Sequence, residues 1–204
     1  MAENGQETEV KFYVLDLNRI QTQLQALKAH LIQPRVLETN IRFDLPDASL
    51  RSKGNVLRLR YDTDARLTYK SASKNEQGVL SRREIEFVVE DFEKAKQFLE
   101  ALGYQKLVYY EKYRTTYKLN ETLVMLDELP YGNFVEVEGE TLEIIRTSSL
   151  QLNLNWDTAI ATSYTSVFER ARTALKLSFT DLSFANFANV NVDASNLGVR
   201  PADE

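Results

Sequence analysis

Glu7-Thr8-Glu9-Val10-Lys11-Phe12-Tyr13-Val14 decides how this chain is read. Its residues alternate charged and apolar, the period of a β-strand, in which side chains two apart share a face. Glu7, Glu9 and Lys11 therefore stand on one face, and Val10 and Phe12 on the other. Asp16 follows as an N-cap, and 16–29 carries Leu17, Ile20, Leu24 and Leu27 at helical spacing. The same order returns at Arg83. Glu84–Val89 alternates, and 91–102 places Phe92, Ala95, Phe98, Leu99 and Leu102 on one helical face, with Gly103 as the stop. Glu7 and Glu84 lie 77 residues apart, too far for a solenoid period and suited to two halves of one barrel or sheet. A pseudo-twofold architecture is expected.

Each strand-helix unit is followed by further strand-like runs. After the first come 36–43, 56–61 and 65–71, separated by turn-formers at Pro46-Asp47 and Lys53-Gly54-Asn55. After the second come 108–119, 122–129 and 133–139, with a tight turn at Asn120-Glu121. Helical spacing over 156–177 offers Ile160, Tyr164, Phe168 and Ala171 to one face. From Val190 the hydrophobic content falls. The expectation is one domain over 1–189 with flanking C-terminal helices, and a mobile tail over 190–204.

Composition excludes several chemistries. The absence of cysteine removes disulfides, thiolate metal sites and cysteine nucleophiles. The one histidine, His30, removes most zinc chemistry, and a Ser-His-Asp triad would have to use it, yet it sits in Leu27-Lys28-Ala29-His30-Leu31 and reads as an ordinary residue at the end of an amphipathic helix. A net charge of −5 disfavours bulk attraction to nucleic acid or an anionic membrane. Met1–Gln6 has no basic stretch or apolar run, and no span of about 18 apolar residues occurs, so a cytoplasmic protein is expected. Chemistry falls to carboxylates, Lys, Arg, Tyr and hydroxyls.

Those groups are patterned. Arg58 and Arg60 oppose Leu57 and Leu59; Glu84 and Glu86 oppose Ile85 and Phe87. Lys112 and Arg114 oppose Tyr113, Asp127 opposes Leu126, and Glu136 and Glu138 oppose Val135 and Val137, while Lys70 closes the 67–70 run. On any single strand this could be the solvated face of an antiparallel sheet. Same-sign neighbours on one face repel, and their recurrence on several strands calls for a counterion or ligand. Two carboxylates about 6.5–7 Å apart along a strand suit a hard cation, Mg²⁺ or Mn²⁺. Paired Arg and Lys suit phosphate oxygens. A face with both suits a metal-bound polyphosphate. Neither a Gly-x-x-x-x-Gly-Lys-Ser/Thr loop nor a Gly-x-Gly-x-x-Gly turn is present, so strand side chains must hold the phosphates.

At these residues the chain resembles the CYTH superfamily of triphosphate tunnel metalloenzymes, which includes class IV adenylyl cyclases, thiamine triphosphatases and inorganic tripolyphosphatases. Glu7-Thr8-Glu9-Val10-Lys11 fits the family's Glu-x-Glu-x-Lys signature. Leu57-Arg58-Leu59-Arg60, Thr68-Tyr69-Lys70, Arg83-Glu84-Ile85-Glu86, Lys112-Tyr113-Arg114, Leu126-Asp127 and Phe134-Val135-Glu136-Val137-Glu138-Gly139 follow in order, with Ser163-Tyr164 a late match. The resemblance implies an α+β fold, an eight-stranded antiparallel β-barrel open as a tunnel, charged faces inward and helices outside. It implies triphosphate binding by Lys11, Arg58, Arg60, Lys70, Lys112 and Arg114, with Lys11 the catalytic candidate. It implies metal ligation by Glu7, Glu9, Glu136 and Glu138, with Glu84, Glu86 and Asp127 completing the acidic side. One departure is visible: where the family carries an aromatic pair before an Asp, Ile41-Arg42-Phe43-Asp44 keeps only Phe43.

The function so implied is metal-dependent hydrolysis of a triphosphate, whether inorganic tripolyphosphate, ATP or thiamine triphosphate. One alternative is a class IV cyclase, in which the ribose 3′-hydroxyl attacks the α-phosphorus of ATP and pyrophosphate leaves; Leu126-Asp127-Glu128-Leu129 with Tyr131-Gly132-Asn133-Phe134 looks somewhat like that branch. Another is a non-catalytic polyphosphate- or nucleotide-binding barrel, against which the retained carboxylates count. A homodimer is left open.

Overall fold

The structure, a computed structural model, describes residues 5–204; the Met1–Asn4 part of the N-terminal stretch read above lies outside them. The expected strand-helix-strand unit occurs twice. In the first, β1 (Gln6–Val14) leads to α1 (Leu17–Ala26) and β2 (His30–Asp44). Asp16 starts α1 by accepting from the backbone N–H groups of Asn18 at 2.9 Å and Arg19 at 3.2 Å. The helix stops before position 29 because Lys28 turns left-handed, with φ of 58°. His30 is thereby the exposed first residue of a strand, not the end of a helix.

Helix α2 (Ser49–Ser52) and strands β3 (Val56–Tyr61), β4 (Ala65–Lys70) and β5 (Lys74–Glu76) complete the first half. The second half repeats the order with β6 (Val79–Val89), α3 (Phe92–Ala101) capped by Asp91, β7 (Gln105–Leu119), β8 (Thr122–Leu129) and β9 (Gly132–Glu138). Helices α4 (Leu142–Gln151), α5 (Tyr164–Leu175), α6 (Phe184–Phe187) and α7 (Ala194–Leu197) follow.

Eight strands close in the order β1-β9-β8-β7-β2-β3-β4-β6 and back to β1, every pair antiparallel. Closure runs through Gln6↔Arg83 to Glu9↔Leu80. Strand β5 is a ninth, unanticipated addition beside β6. The two halves interlock, since β1 pairs with β9 of the second half and β6 with β4 of the first. The pairs β1–β6 and β2–β7 lie on the pseudo-twofold axis. Closing the sheet removes most of the unpaired edge that an open sheet would present.

Alternation then sorts the side chains. Outward Val10, Phe12, Val135 and Val137 pack under Ile20 and Leu24 of α1 and Ile145 of α4, while Ile41, Phe43, Leu57 and Leu59 pack under Leu99 of α3. The helices cover one face of the wall, so the charged face turns inward. At one end the inward positions become apolar: Tyr13, Tyr110, Leu129 and Phe134 form a cluster with Tyr164, Val167 and Phe168 of α5. Helix α5 thus plugs that end of the barrel. The turn into β9 must be glycine there, since a Cβ on Gly132, whose φ is 147°, would lie 2.8 Å from the Tyr13 ring.

The C-terminal part departs from the expectation. The 156–177 segment is not one helix: a single 3₁₀ turn, Trp156–Thr158, is followed by Ile160, whose N–H donates to the Lys11 carbonyl at 2.8 Å, and only Ser163 then caps α5. Helix α4 was not anticipated. The 190–204 segment, expected as a mobile tail, is docked across the barrel. Leu197 is fully buried, the Ala202 N–H donates to the Tyr13 carbonyl at 2.8 Å, and the Asp203 carboxylate accepts from the N–H groups of Leu15 and Asp16 at 2.9 Å. Sparse apolar residues suffice because the strap adds to an existing core and is tied by backbone hydrogen bonds. No described helix is long and apolar enough to cross a membrane.

Candidate active site in the barrel

The inward faces enclose a cavity of about 650 Å³. Nine basic and eight acidic side chains line it, the near-balance that a site for a polyanion with its cation requires. Of the residues singled out in the sequence, Glu7, Glu9, Lys11, Arg58, Arg60 and Lys70 all reach the lining, as do Glu84, Glu86, Lys112, Arg114, Glu136 and Glu138.

The acidic side is built where β1 meets β9 and β6. Register places Glu9 opposite Glu138 and Lys11 opposite Glu136, with Lys70 opposite Glu84 one strand beyond β6. Lys11 pairs tightly with Glu9 and lies 3.3 Å from Glu136; Lys70 pairs tightly with Glu7 and lies 3.5 Å from Glu84. Arg82 bridges Glu7 at 2.9 Å and Glu9 at 3.6 Å.

Crowding splits the carboxylates. Burial would raise Glu7, but Lys70 and Arg82 overrule it and bring it down to about 2. Burial, Glu136 and Glu7 together push Glu9 up to about 7 despite Lys11. Burial and the neighbouring Glu7 and Glu136 also raise Glu138, whereas Lys11 and Arg114 hold Glu136 well below the usual range against its burial. Lys11, although buried, is kept firmly protonated by Glu136 and Glu9.

The basic wall is β2 with β3. Arg60 bonds Glu86 at 2.9 Å, and Glu86 also accepts from Thr68 at 2.7 Å and Arg58 at 3.4 Å. Glu38, fully buried, lies 3.6 Å from both Arg60 and Lys112, and those cations with Arg114 hold it ionised against burial. Saturation is incomplete. The Nε atoms of Arg42, Arg58 and Arg60 and the Oδ1 of Asn40 are buried without a hydrogen-bond partner. These are two register pairs, Arg42↔Arg58 and Asn40↔Arg60, on one patch of wall.

The sequence model for the CYTH domain matches residues 5–170, most of the chain. The chain belongs to the CYTH domain family. A Methanocaldococcus jannaschii protein provisionally named an adenylate cyclase is 30% identical over 174 residues, covering 78% of this chain and 95% of that one. Among solved structures, a Vibrio parahaemolyticus protein provisionally named an adenylate cyclase superposes with a TM-score of 0.72 at 20% identity, over 81% of this chain and 99% of that one. A Hippeastrum protein provisionally named an adenylyl cyclase and described with a dominant triphosphatase activity superposes with a TM-score of 0.60 at 22% identity, over 80% and 95%. These likenesses show that the fold is shared.

Within this CYTH barrel Asp127 stands apart from the other residues singled out. It does not line the cavity, is fully buried, and accepts two bonds from Arg114 at 2.6 Å, one from Lys112 at 3.1 Å and one from the Tyr164 hydroxyl at 2.7 Å. Its lone pairs are spent on orienting two cavity-lining cations, and Ser163-Tyr164 links that carboxylate to the start of α5. Lys11 and Lys112 also sit over the Tyr164 ring, 5.5 and 5.2 Å from its centre.

The CYTH lining contains residues the sequence reading passed over: Glu38 and Arg42 on β2, Asp62 and Arg66 around β4, and Arg82 on β6. The signal was present, since Glu38, Asn40 and Arg42 alternate with Thr39, Ile41 and Phe43 as on the other strands. The α5 entry, Ala161–Ser166, carried no such period. Among the described residues no three carboxylates already converge as a cation site, because Lys and Arg draw them apart. The donor set nevertheless fits a hard divalent cation: all ligating atoms are carboxylate oxygens, and Glu9 and Glu138 are crowded enough to be relieved by one.

Proposed function

We propose that the protein is a divalent-metal-dependent enzyme that hydrolyses a triphosphate, inorganic tripolyphosphate or an organic or nucleoside triphosphate, inside the barrel. The observation that carries this reading is the β2–β3 wall, where three guanidinium groups that line the cavity each keep a buried Nε with no hydrogen-bond partner. Leaving a buried donor unpaired is costly, and phosphate oxygens are the acceptors that guanidinium groups match best. The triphosphatase activity described for the Hippeastrum protein supports the same chemistry.

Arg58, Arg60, Lys70, Lys112 and Arg114 would bind the phosphates. Glu86 fixes the two β3 guanidiniums, and Asp127 fixes Arg114 and Lys112. Glu7, Glu9, Glu136 and Glu138 would hold Mg²⁺ or Mn²⁺, with Glu84 beside them; that ion would supply charge stabilisation on the transferred phosphoryl group. Lys11 stays protonated and so acts as a fixed cation toward developing charge, not as a base.

A second reading, cyclisation of ATP, is favoured by the name of the Methanocaldococcus jannaschii relative and by an apolar stretch of the lining. Val36, Leu123 and Met125 are available to a nucleobase, and Leu123 and Met125 are the cross-strand partners of Glu138 and Glu136. A product assay with ATP and with tripolyphosphate, each with Mg²⁺ or Mn²⁺, separates the two. Orthophosphate supports hydrolysis, cyclic AMP with pyrophosphate supports cyclisation, and no product from either substrate, nor from thiamine triphosphate, overturns both.

A further inference from the structure

Every cation lining the cavity has a carboxylate within 4.0 Å among the described residues, with one exception, Arg42. Its guanidinium reaches a neutral group, donating from Nη1 to the Thr165 hydroxyl at 2.6 Å, and its Nε is buried without a partner. The nearest acid on its own strand, Asp44, is occupied elsewhere, accepting the N–H groups of Leu45 and Leu50 at 2.9 Å and of Arg51 at 3.2 Å. Across the strand pair stands another cation, Arg58. Burial, with Arg82 and Arg58 nearby, disfavours the charge that Arg42 must carry. The fold thus maintains a cation with no paired carboxylate against the cavity.

We propose that Arg42, with the Thr165 hydroxyl, forms an added anion subsite that takes a phosphoryl oxygen of the substrate chain beyond the group held by Arg58. This rests on reading the barrel as a triphosphate site. A guanidinium with free donors binds a phosphate oxygen far better than water does once the site is closed to solvent. Because Arg42 and Arg58 are cross-strand neighbours about 4.5–5.5 Å apart at the backbone, one polyphosphate chain can span both. The subsite therefore reads chain length: tripolyphosphate reaches it while pyrophosphate, held by the remaining cations, does not need it. Hydrolysis of the bound chain involves no bond to Arg42, whose part is binding alone.

The test is calorimetric titration of the full chain with tripolyphosphate and with pyrophosphate, in wild type, Arg42→Gln, Arg42→Lys and Arg58→Ala, beside thermal melts without ligand. Arg42→Gln is expected to weaken tripolyphosphate by about tenfold or more, the worth of one charge-assisted hydrogen bond, and pyrophosphate by less than about threefold. Its melting temperature should hold or rise, since an unpaired buried charge is gone, and Arg42→Lys should recover part of the affinity. If Arg42→Gln binds tripolyphosphate like wild type while Arg58→Ala does not, the subsite is wrong and the triphosphate site stands. If neither variant loses affinity, the triphosphate reading itself falls. A lower melting temperature with equal weakening of both anions would show Arg42 to be a clamp on α5 and overturn the subsite.

Discussion

Asp127→Asn separates a ligand of the metal from a support of the cations. Asp127 is fully buried, and its two oxygens take four hydrogen bonds, two of them from Arg114 at 2.6 Å. Asparagine keeps the shape, loses the charge and turns an amide donor toward Arg114, Lys112 or Tyr164. Removing one partner of a buried ion pair commonly costs about 3–5 kcal/mol. Arg114 keeps Glu136 at 3.4 Å, so the lower end, ~3 kcal/mol, is expected here. For a chain of this size 1 kcal/mol moves Tm by about 2–4 °C, which gives a fall of roughly 6–12 °C. The assay pairs a thermal melt with turnover across an Mg²⁺ or Mn²⁺ titration. Half-saturation by metal should stay within about twofold of wild type, because no Asp127 oxygen reaches the cavity, while KM for the triphosphate rises as Arg114 and Lys112 lose their anchor. Glu136→Gln and Glu138→Gln should instead abolish the response to metal. An Asp127→Asn protein that melts within about 2 °C of wild type but demands far more metal would refute this account and make Asp127 a ligand.

Glu7 and Glu9 should give opposite pH dependences in chelated protein. Glu7, lowered to about 2, contributes stability above its unfolded value that is lost as pH falls toward 2, so Glu7→Gln should lower Tm at pH 7 and much less near pH 3. Glu9, raised to about 7, loses stability as pH rises through 7, so Glu9→Gln should gain on wild type from pH 5 to pH 8; parallel offsets at all pH values would remove the assigned shifts. Exhaustive chelation should stop turnover without unfolding the protein, since the barrel closes on its own strand hydrogen bonds; full activity after chelation would end the metal-dependent mechanism. Asp203→Ala exposes the loss of an acceptor for the Leu15 and Asp16 N–H groups, for which about 2 kcal/mol and a Tm lower by roughly 4–8 °C are expected, and an unchanged melt would make the strap dispensable.

Much of the barrel was legible in the chain because strand alternation and helix capping are local. The period of 7–14 and 84–89 marked the two β1-like strands, Asp16 and Asp91 marked the two helix starts, and twelve of the thirteen site residues singled out, all but Asp127, proved to share one cavity. Alternation alone says which residues share a face but not whether water or protein lies on it. Tertiary structure decided that, by stacking α1, α3 and α4 on the apolar side and closing the sheet so that like charges had to meet one another inside. It also decided what periodicity cannot encode: that Asp127 faces Tyr164, Lys112 and Arg114 outside the cavity lining, and that Arg42 alone among the lining cations has no carboxylate within 4.0 Å among the described residues. The polar 190–204 segment is docked for the same reason. Its order comes from docking onto the Tyr13–Asp16 backbone, far away in sequence, so no property of the segment by itself could announce it.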